Sequence, residues 1–316
     1  MFSSKSAVTE FLAECNLALA QGDSGLGFED VLVPIRNLLN REQDLISFSL
    51  ARYSGANSQL SFFAEWFYQL YKLSLDSRSL LEENQLYFRK IVPLKIKGVP
   101  NLYDMVDKDI IEKFLSRQIT FMQSKMYELT WDYVRKYPYL SKYLSPSHLN
   151  KLTSGDVTTH KYLYRESVPL SEYIKHQSYR SSAVLITFPC MLGFAFSFNQ
   201  EGSFINSKGI KWILLEEILD TVAMLHQTAG THDLRLFLYY SALSDKEQFN
   251  YLQLSDDKKI LLALSSQEAK DSYKDIRNRA WEQAKQSLQN LTFPDKYKQM
   301  LADLLTWAYS YSAPRS

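Results

Sequence analysis

Two cysteines in 316 residues, Cys15 and Cys190, are too few for a disulfide framework or a four-cysteine zinc site, and they suit a reducing compartment. Glycine and proline are also scarce, 10 and 9 residues, which leaves little punctuation for the many turns of an all-β protein. Charge of one sign is missing as well. Thirty-six Lys and Arg against 35 Asp and Glu give a net charge of +1, with no basic block of the kind that binds nucleic acid or anionic lipid. No uninterrupted apolar run opens the chain, because Lys5, Glu10 and Glu14 fall within the first 20 residues, and a cytoplasmic location is expected. The longest apolar stretch, Ala183 to Phe198, contains Thr187, Pro189 and Gly193 and is shorter than the roughly 20 residues of a membrane span, so it reads as a buried helix.

What is present is hydrophobic residue, 46% of the chain, with helical periodicity in most segments. Breaks fall at Gly22 to Gly27, Ser54 to Asn57, Pro93 to Pro100, Ser145 to Pro146, Ser154 to Gly155, Ser167 to Pro169 and Asn199 to Gly209. None is long enough, or rich enough in Ser, Pro and Gly, to be an interdomain linker. Residues 1–316 therefore read as one all-α domain of roughly ten helices. Phe62 to Leu75, Ser182 to Phe198 and Lys211 to Leu225 are apolar nearly all round and should be central; the charged stretch from Ser266 to Ser310 should lie outside.

Chemistry is concentrated in Trp212 to Leu225, WILLEEILDTVAML. Glu216 and Asp220 are four residues apart, hence on one helical face, and Glu217 is adjacent. Trp212, Ile213, Ala223 and Met224 make the rest of that face apolar, so the carboxylates interrupt a hydrophobic stripe. Two like charges so placed destabilise a helix unless something positive compensates them. Magnesium held by one or two carboxylates and a substrate phosphate would do so. An Arg or Lys from another helix would too, as would a rim position in water.

This segment resembles the trans-prenyltransferases, farnesyl diphosphate synthase in particular, whose second aspartate-rich motif, DDxxD, would here be Glu216, Glu217, Ile218, Leu219, Asp220. Upstream, Tyr179, Arg180, Ser181 and then AVLITFPCMLGFAF, with Phe188 and Pro189, are similar to the family's tyrosine, lysine-threonine pair and Leu-Pro helix. Lys97 to Leu115 (KGVPNLYDMVDKDIIEKFL) resembles a segment that follows the first metal motif, and Gly230, Thr231 and Asp233 resemble a Gly-Thr-Asp step. The likeness runs from about Phe28 to Trp307, in order and spacing, with no motif intact.

It implies an isoprenoid-synthase-type helical bundle around a central cavity, a prenyl diphosphate as ligand and magnesium as cofactor. Glu216, Glu217, Asp220 and Asp76 would be the metal ligands. Arg41, Arg89, Lys90 and Arg180 would grip the diphosphate, and Phe67, Tyr68 and Tyr71 would line a prenyl-chain pocket. The family also implies a homodimer, or a heterodimer with a related synthase. The departures reduce that set. After Glu65 the first motif reads Leu75, Asp76, Ser77, Arg78, Ser79; the GQxxD turn reads Gly155, Asp156, Val157, Thr158, Thr159; the phosphate loop keeps Arg41 but not its lysine; and Arg235 is the only Lys or Arg between Asp220 and Asp245. The magnesium complement should be reduced and ordinary head-to-tail elongation slow or absent. Two functions follow: altered chemistry on a bound prenyl diphosphate, or a catalytically inactive family member acting as regulatory or partner subunit of an active synthase. No catalytic residue is assigned.

Other signals are weaker. His226 and His232 straddle a helix end, where a surface or capping role is expected, and no HExxH or GxSxG occurs. Tyr133, Tyr137, Tyr139 and Tyr143, at helical spacing, read as core first and tunnel lining second.

Overall fold

The computed structural model describes residues 5–20, 45–90, 108–150, 170, 173, 182–200 and 210–311; in the helix over 58–90, the side chains at 76, 79, 80 and 82–90 are outside that description. The described α-helices are α1 (Lys5–Ala20), α2 (Ile46–Tyr53), α3 (Ser58–Lys90), α4 (Lys108–Lys136), α5 (Phe188–Gln200), α6 (Ile210–Gly230), α7 (Asp233–Ala242), α8 (Asp245–Leu252), α9 (Asp256–Ser265), α10 (Gln267–Asn290) and α11 (Asp295–Ser310). No strand occurs among the described residues. The breaks expected at Ser54 to Asn57 and Ser145 to Pro146 are present; those at 22–27, 93–100, 154–155 and 167–169 lie outside the described residues, as does the one at Asn199 to Gly209 beyond Gln200, where the helix over 188–200 ends.

Two antiparallel helix pairs position the candidate site. In the first, α3 runs against α4: the Tyr133 hydroxyl donates to the Gln59 carbonyl at 3.1 Å, and the Phe63 and Tyr133 rings stack at 4.3 Å. The aromatic run of α3 faces inward, with Phe62, Phe63, Trp66 and Phe67 all buried. In the second, α5 and the turn before it run against α6, in a register set by Ser182 opposite Gln227, Thr187 opposite Asp220 and Phe198 opposite Trp212. Phe188 joins the pairs, its ring 4.6 Å from that of Phe67. All three segments expected to be central are therefore in the core. Ala183–Gln200 is long and apolar enough to cross a membrane by length and composition, yet 78% of it is buried within the fold.

Proline explains the local geometry at the start of α5. Pro189 has no N–H, so the carbonyl of Leu185, four residues earlier, loses its helical donor. Ala183–Thr187 winds as a π-turn, and the Ser47 hydroxyl of α2 donates to the Leu185 carbonyl at 3.0 Å. Further along α5, a Cβ on Gly193 would come within 2.6 Å of the Ala51 carbonyl oxygen and the Ser54 Cβ, so only glycine permits this crossing of α2 and α5.

The N-terminus of α2 has Leu45 as its cap residue, with no side-chain acceptor. Glu65 supplies one from α3. Its Oε2 accepts from the Phe48 N–H at 3.0 Å, and its Oε1 accepts from Gln69 at 2.7 Å. Burial raises the carboxyl pKa, and those hydrogen bonds act against the rise. The C-terminal stretch is divided by Leu291 to Pro294 into α10 and α11, which flank α6 with amphipathic faces. It is not wholly external, because Arg277 is buried between α6 and α11.

Candidate functional site

Helix α6 carries the acidic triad. Glu216 and Asp220 are partly buried, and the Thr187 hydroxyl of the π-turn donates to Asp220 Oδ1 at 3.2 Å. The π-turn thus aims a side chain at the carboxylate, which a regular helix through Pro189 would present differently. Around them Trp212, Ala223 and Met224 are buried as expected. Ile213 is 58% exposed, so the stripe opens to solvent at its N-terminal end.

Glu217 is turned away from this pair. With Thr221 of α6 it lines a polar groove of about 450 Å³, walled by Gln283, Ser287 and Asn290 of α10. The 100° step between adjacent helical residues makes this separation unavoidable. Among the described residues no three His, Cys, Asp or Glu side chains are grouped to hold a metal ion. What the described geometry offers is a carboxylate pair, Glu216 and Asp220, able to share one divalent cation with phosphate oxygens.

Asp76 lies on α3, and Arg89 and Lys90 are its last residues; all three side chains lie outside the described set, as do Arg41, Arg180 and the Gly155 to Thr159 turn. Phe67 and Tyr71 come together in the wall of a cavity of about 120 Å³ between α3 and α4, with Ser74, Arg78, Met126 and Leu149. Tyr68, one position on from Phe67, is only partly buried and packs against the core outside that wall. Spacing of 67, 71, 74 and 78 at i, i+4, i+7 and i+11 is a helical stripe legible in the sequence, and would have included Ser74 and Arg78. No comparable signal picks out Thr187, whose role depends on a contact 33 residues away. Arg235 stacks its guanidinium on Tyr273 of α10 at 4.5 Å. Tyr133 and Tyr137 are half-buried, with rings stacked on each other at 6.2 Å.

His226 departs from the surface or capping role expected of it. It is 8% exposed, lies between the Trp307 and Tyr311 rings at 5.1 and 4.3 Å, and neither ring nitrogen has a hydrogen-bond partner among the described residues. The apolar side of α6 faces α11 one turn past the triad, which a linear reading of a helix end does not reveal. Burial, with Arg277 nearby, lowers its pKa to about 4 from an ordinary 6.5. The neutral imidazole is the folded form, so its stabilising contribution is complete above pH 6.5 and is lost as pH falls towards 4. Between pH 7 and pH 4 the wild-type chain should lose about 3 kcal/mol more stability than a His226→Phe variant. Urea unfolding at both pH values measures this, and parallel losses in the two proteins would refute it.

No family model matches the chain, and no curated protein matches it in sequence. Its fold does match. The arrangement is all-α and isoprenoid-synthase-like in fold. The crystal structure of geranylgeranyl pyrophosphate synthase from Corynebacterium glutamicum, complexed with calcium and isoprenyl diphosphate, superposes with a TM-score of 0.57 over 99% of this chain and 100% of that one, at 14% identity.

Proposed function

We propose that this chain binds a prenyl diphosphate in isoprenoid biosynthesis, as one domain spanning residues 1–316, in the cytoplasm. The observation that carries the reading is the Glu216 and Asp220 pair on one face of α6, joined through Asp220 to the π-turn, in a fold whose solved relative was crystallised with a divalent cation and an isoprenyl diphosphate. Glu216 and Asp220 would hold one magnesium ion, with Glu217 too far round the helix to share it and Asp76 a weaker contributor from α3. The ion, when bound, supplies charge neutralisation at the phosphate oxygens. Thr187 holds the Asp220 carboxylate in position by its hydrogen bond. Arg41, Arg89, Lys90 and Arg180 are the cations that would grip the diphosphate through charge-assisted hydrogen bonds.

Replacing Glu216 and Asp220 together by alanine should abolish magnesium-dependent diphosphate binding, with the heat of binding in titration calorimetry falling to the level of a blank. An unchanged titration in the double variant would remove the assignment.

A second reading, a catalytically inactive partner or regulatory subunit of an active synthase, has its own observation. Helix α4 exposes Phe114, Phe121 and Trp131, at 59%, 38% and 59%. Large apolar side chains on an outer helical face suit a docked subunit, a second copy or a related synthase. Co-purification with an active prenyl diphosphate synthase, and a change in that enzyme's rate or product length, would favour this reading.

A further inference from the structure

The contact that orients Asp220 begins far from it. Thr187, whose hydroxyl donates to Asp220 Oδ1, is fully buried, and so is Ser47 of α2, whose hydroxyl donates to the Leu185 carbonyl, two residues before Thr187. Both hydroxyls act on one π-turn, Ser47 on its backbone and Thr187 from it. Ser47 is itself held in place. It lies in the first turn of α2, where the adjacent Phe48 N–H donates to the buried Glu65 carboxylate of α3, and α2 packs against α3, α5 and the π-turn. Without the Ser47 hydroxyl, the Leu185 carbonyl has one donor fewer in a region closed to water, opposite a Pro189 that offers no N–H. The turn then has reason to rewind. A π-turn holds one residue more per closing hydrogen bond than an α-turn, so rewinding swings Thr187 round the helix and off Asp220.

We infer that Ser47 is a positioning residue for the carboxylate pair on α6: through the Leu185 carbonyl it keeps the π-turn in the form that directs Thr187 at Asp220, and so sets how tightly Glu216 and Asp220 hold a divalent cation. The inference rests on the function proposed above and adds to it a residue that acts only through others. Removing a hydrogen-bond partner of a metal-binding carboxylate costs roughly 10–100-fold in metal affinity. Thr187 is that partner for Asp220, and Ser47 works through Thr187. The effect of losing Ser47 therefore has the effect of losing Thr187 as its ceiling, and the two losses are not additive. A hydroxyl that served helix packing alone would be indifferent to Thr187.

Titration calorimetry on the whole chain with inorganic pyrophosphate, in excess magnesium and again in EDTA, tests this. Thr187→Val should weaken magnesium-dependent binding about tenfold or more, and Ser47→Ala about threefold to tenfold. In the Thr187→Val protein, adding Ser47→Ala should change the affinity by less than about twofold, because the link it acts through is already cut. Ser47→Cys, close in size and with a weaker S–H donor, should fall between serine and alanine. Circular dichroism shows which variants are folded, and if Ser47→Ala is not, Ser47→Cys takes its place in the cycle. A folded Ser47→Ala protein that binds as the wild type does overturns the inference. So does a loss that persists in full beside Thr187→Val, or that appears equally in EDTA, since either marks damage to the packing. Binding abolished by Glu216→Ala with Asp220→Ala but untouched by Ser47→Ala overturns this inference alone. No magnesium-dependent binding by the wild type, or binding unchanged in Glu216→Ala with Asp220→Ala, removes the function proposed above and this inference with it.

Discussion

Incubated with isopentenyl diphosphate and an allylic diphosphate at saturating magnesium, the purified chain should form head-to-tail product at least about 10⁴-fold more slowly than the roughly one turnover per second of an ordinary enzyme. The argument is electrostatic. Ionising an allylic diphosphate places charge on the departing pyrophosphate, and metal ions and fixed cations aimed at that charge lower the barrier. Removing one such donor costs on the order of 10²–10³ in rate, and several are missing together. Set against the resembled family, the stretch after Glu65 keeps only Asp76 and carries Arg78, Thr159 stands where the GQxxD aspartate is expected, and no lysine lies between Asp220 and Asp245. The one arginine in that interval, Arg235, stacks on Tyr273. On α6 the helical step places Glu217 in a different groove from the face shared by Glu216 and Asp220. Radiolabelled product formation is the measurement. Turnover near one per second would show that the pair on α6 and the remaining cations suffice.

The second large effect is on stability. Arg277 of α10 is 7% exposed, and its guanidinium ties two helices to α10. Its Nη1 donates to the Leu225 carbonyl and, at 2.7 Å, to the Thr228 hydroxyl in the C-terminal part of α6; its Nη2 donates to the Tyr309 carbonyl at 2.9 Å and the Ala308 carbonyl at 3.4 Å in the last turn of α11. Carbonyls in the last turn of a helix lack intrahelical donors and carry the negative end of its dipole, which applies to Ala308 and Tyr309 of α11, and the same planar cation also holds the Leu225 carbonyl and Thr228 hydroxyl of α6. Arg277→Met keeps much of the apolar volume but leaves the Ala308 and Tyr309 carbonyls without the guanidinium donor and takes a donor from the Leu225 carbonyl and the Thr228 hydroxyl. It should cost about 3–5 kcal/mol, a large fraction of the roughly 5–15 kcal/mol that holds an ordinary domain folded. Arg277→Lys should recover part of this, since a compact ammonium cannot reach both α6 and α11 as the planar fork does. Urea unfolding of the three proteins is the check, and a loss below about 1 kcal/mol in Arg277→Met would show that water replaces the guanidinium.

Helices were largely legible because the determinants are local: sparse glycine and proline, apolar residues at helical spacing, and breaks such as Ser54 to Asn57 where the chain does turn. The likeness to prenyltransferases rested on order and spacing, and the fold agrees with it although only 14% of residues are identical to those of the matching structure. Burial and side-chain direction are different in kind. Pro189 could be seen to break a helix, but not that Ser47 would answer the freed Leu185 carbonyl, nor that the resulting turn would bring Thr187 to Asp220.

The all-α class, the central helices, and the placing of Glu216 and Asp220 on one face follow from the residues alone, through the 3.6-residue repeat and apolar content. It took the packing of the helices to show that Glu217 belongs to a different groove, that His226 and Arg277 are buried against α11, and that Phe67 and Tyr71 share a small cavity with Arg78 while Tyr68 does not. The physical reason is that a helix's periodicity sets which residues share a face, whereas what that face meets is chosen by contacts between segments tens to hundreds of residues apart, whose energies no local pattern encodes.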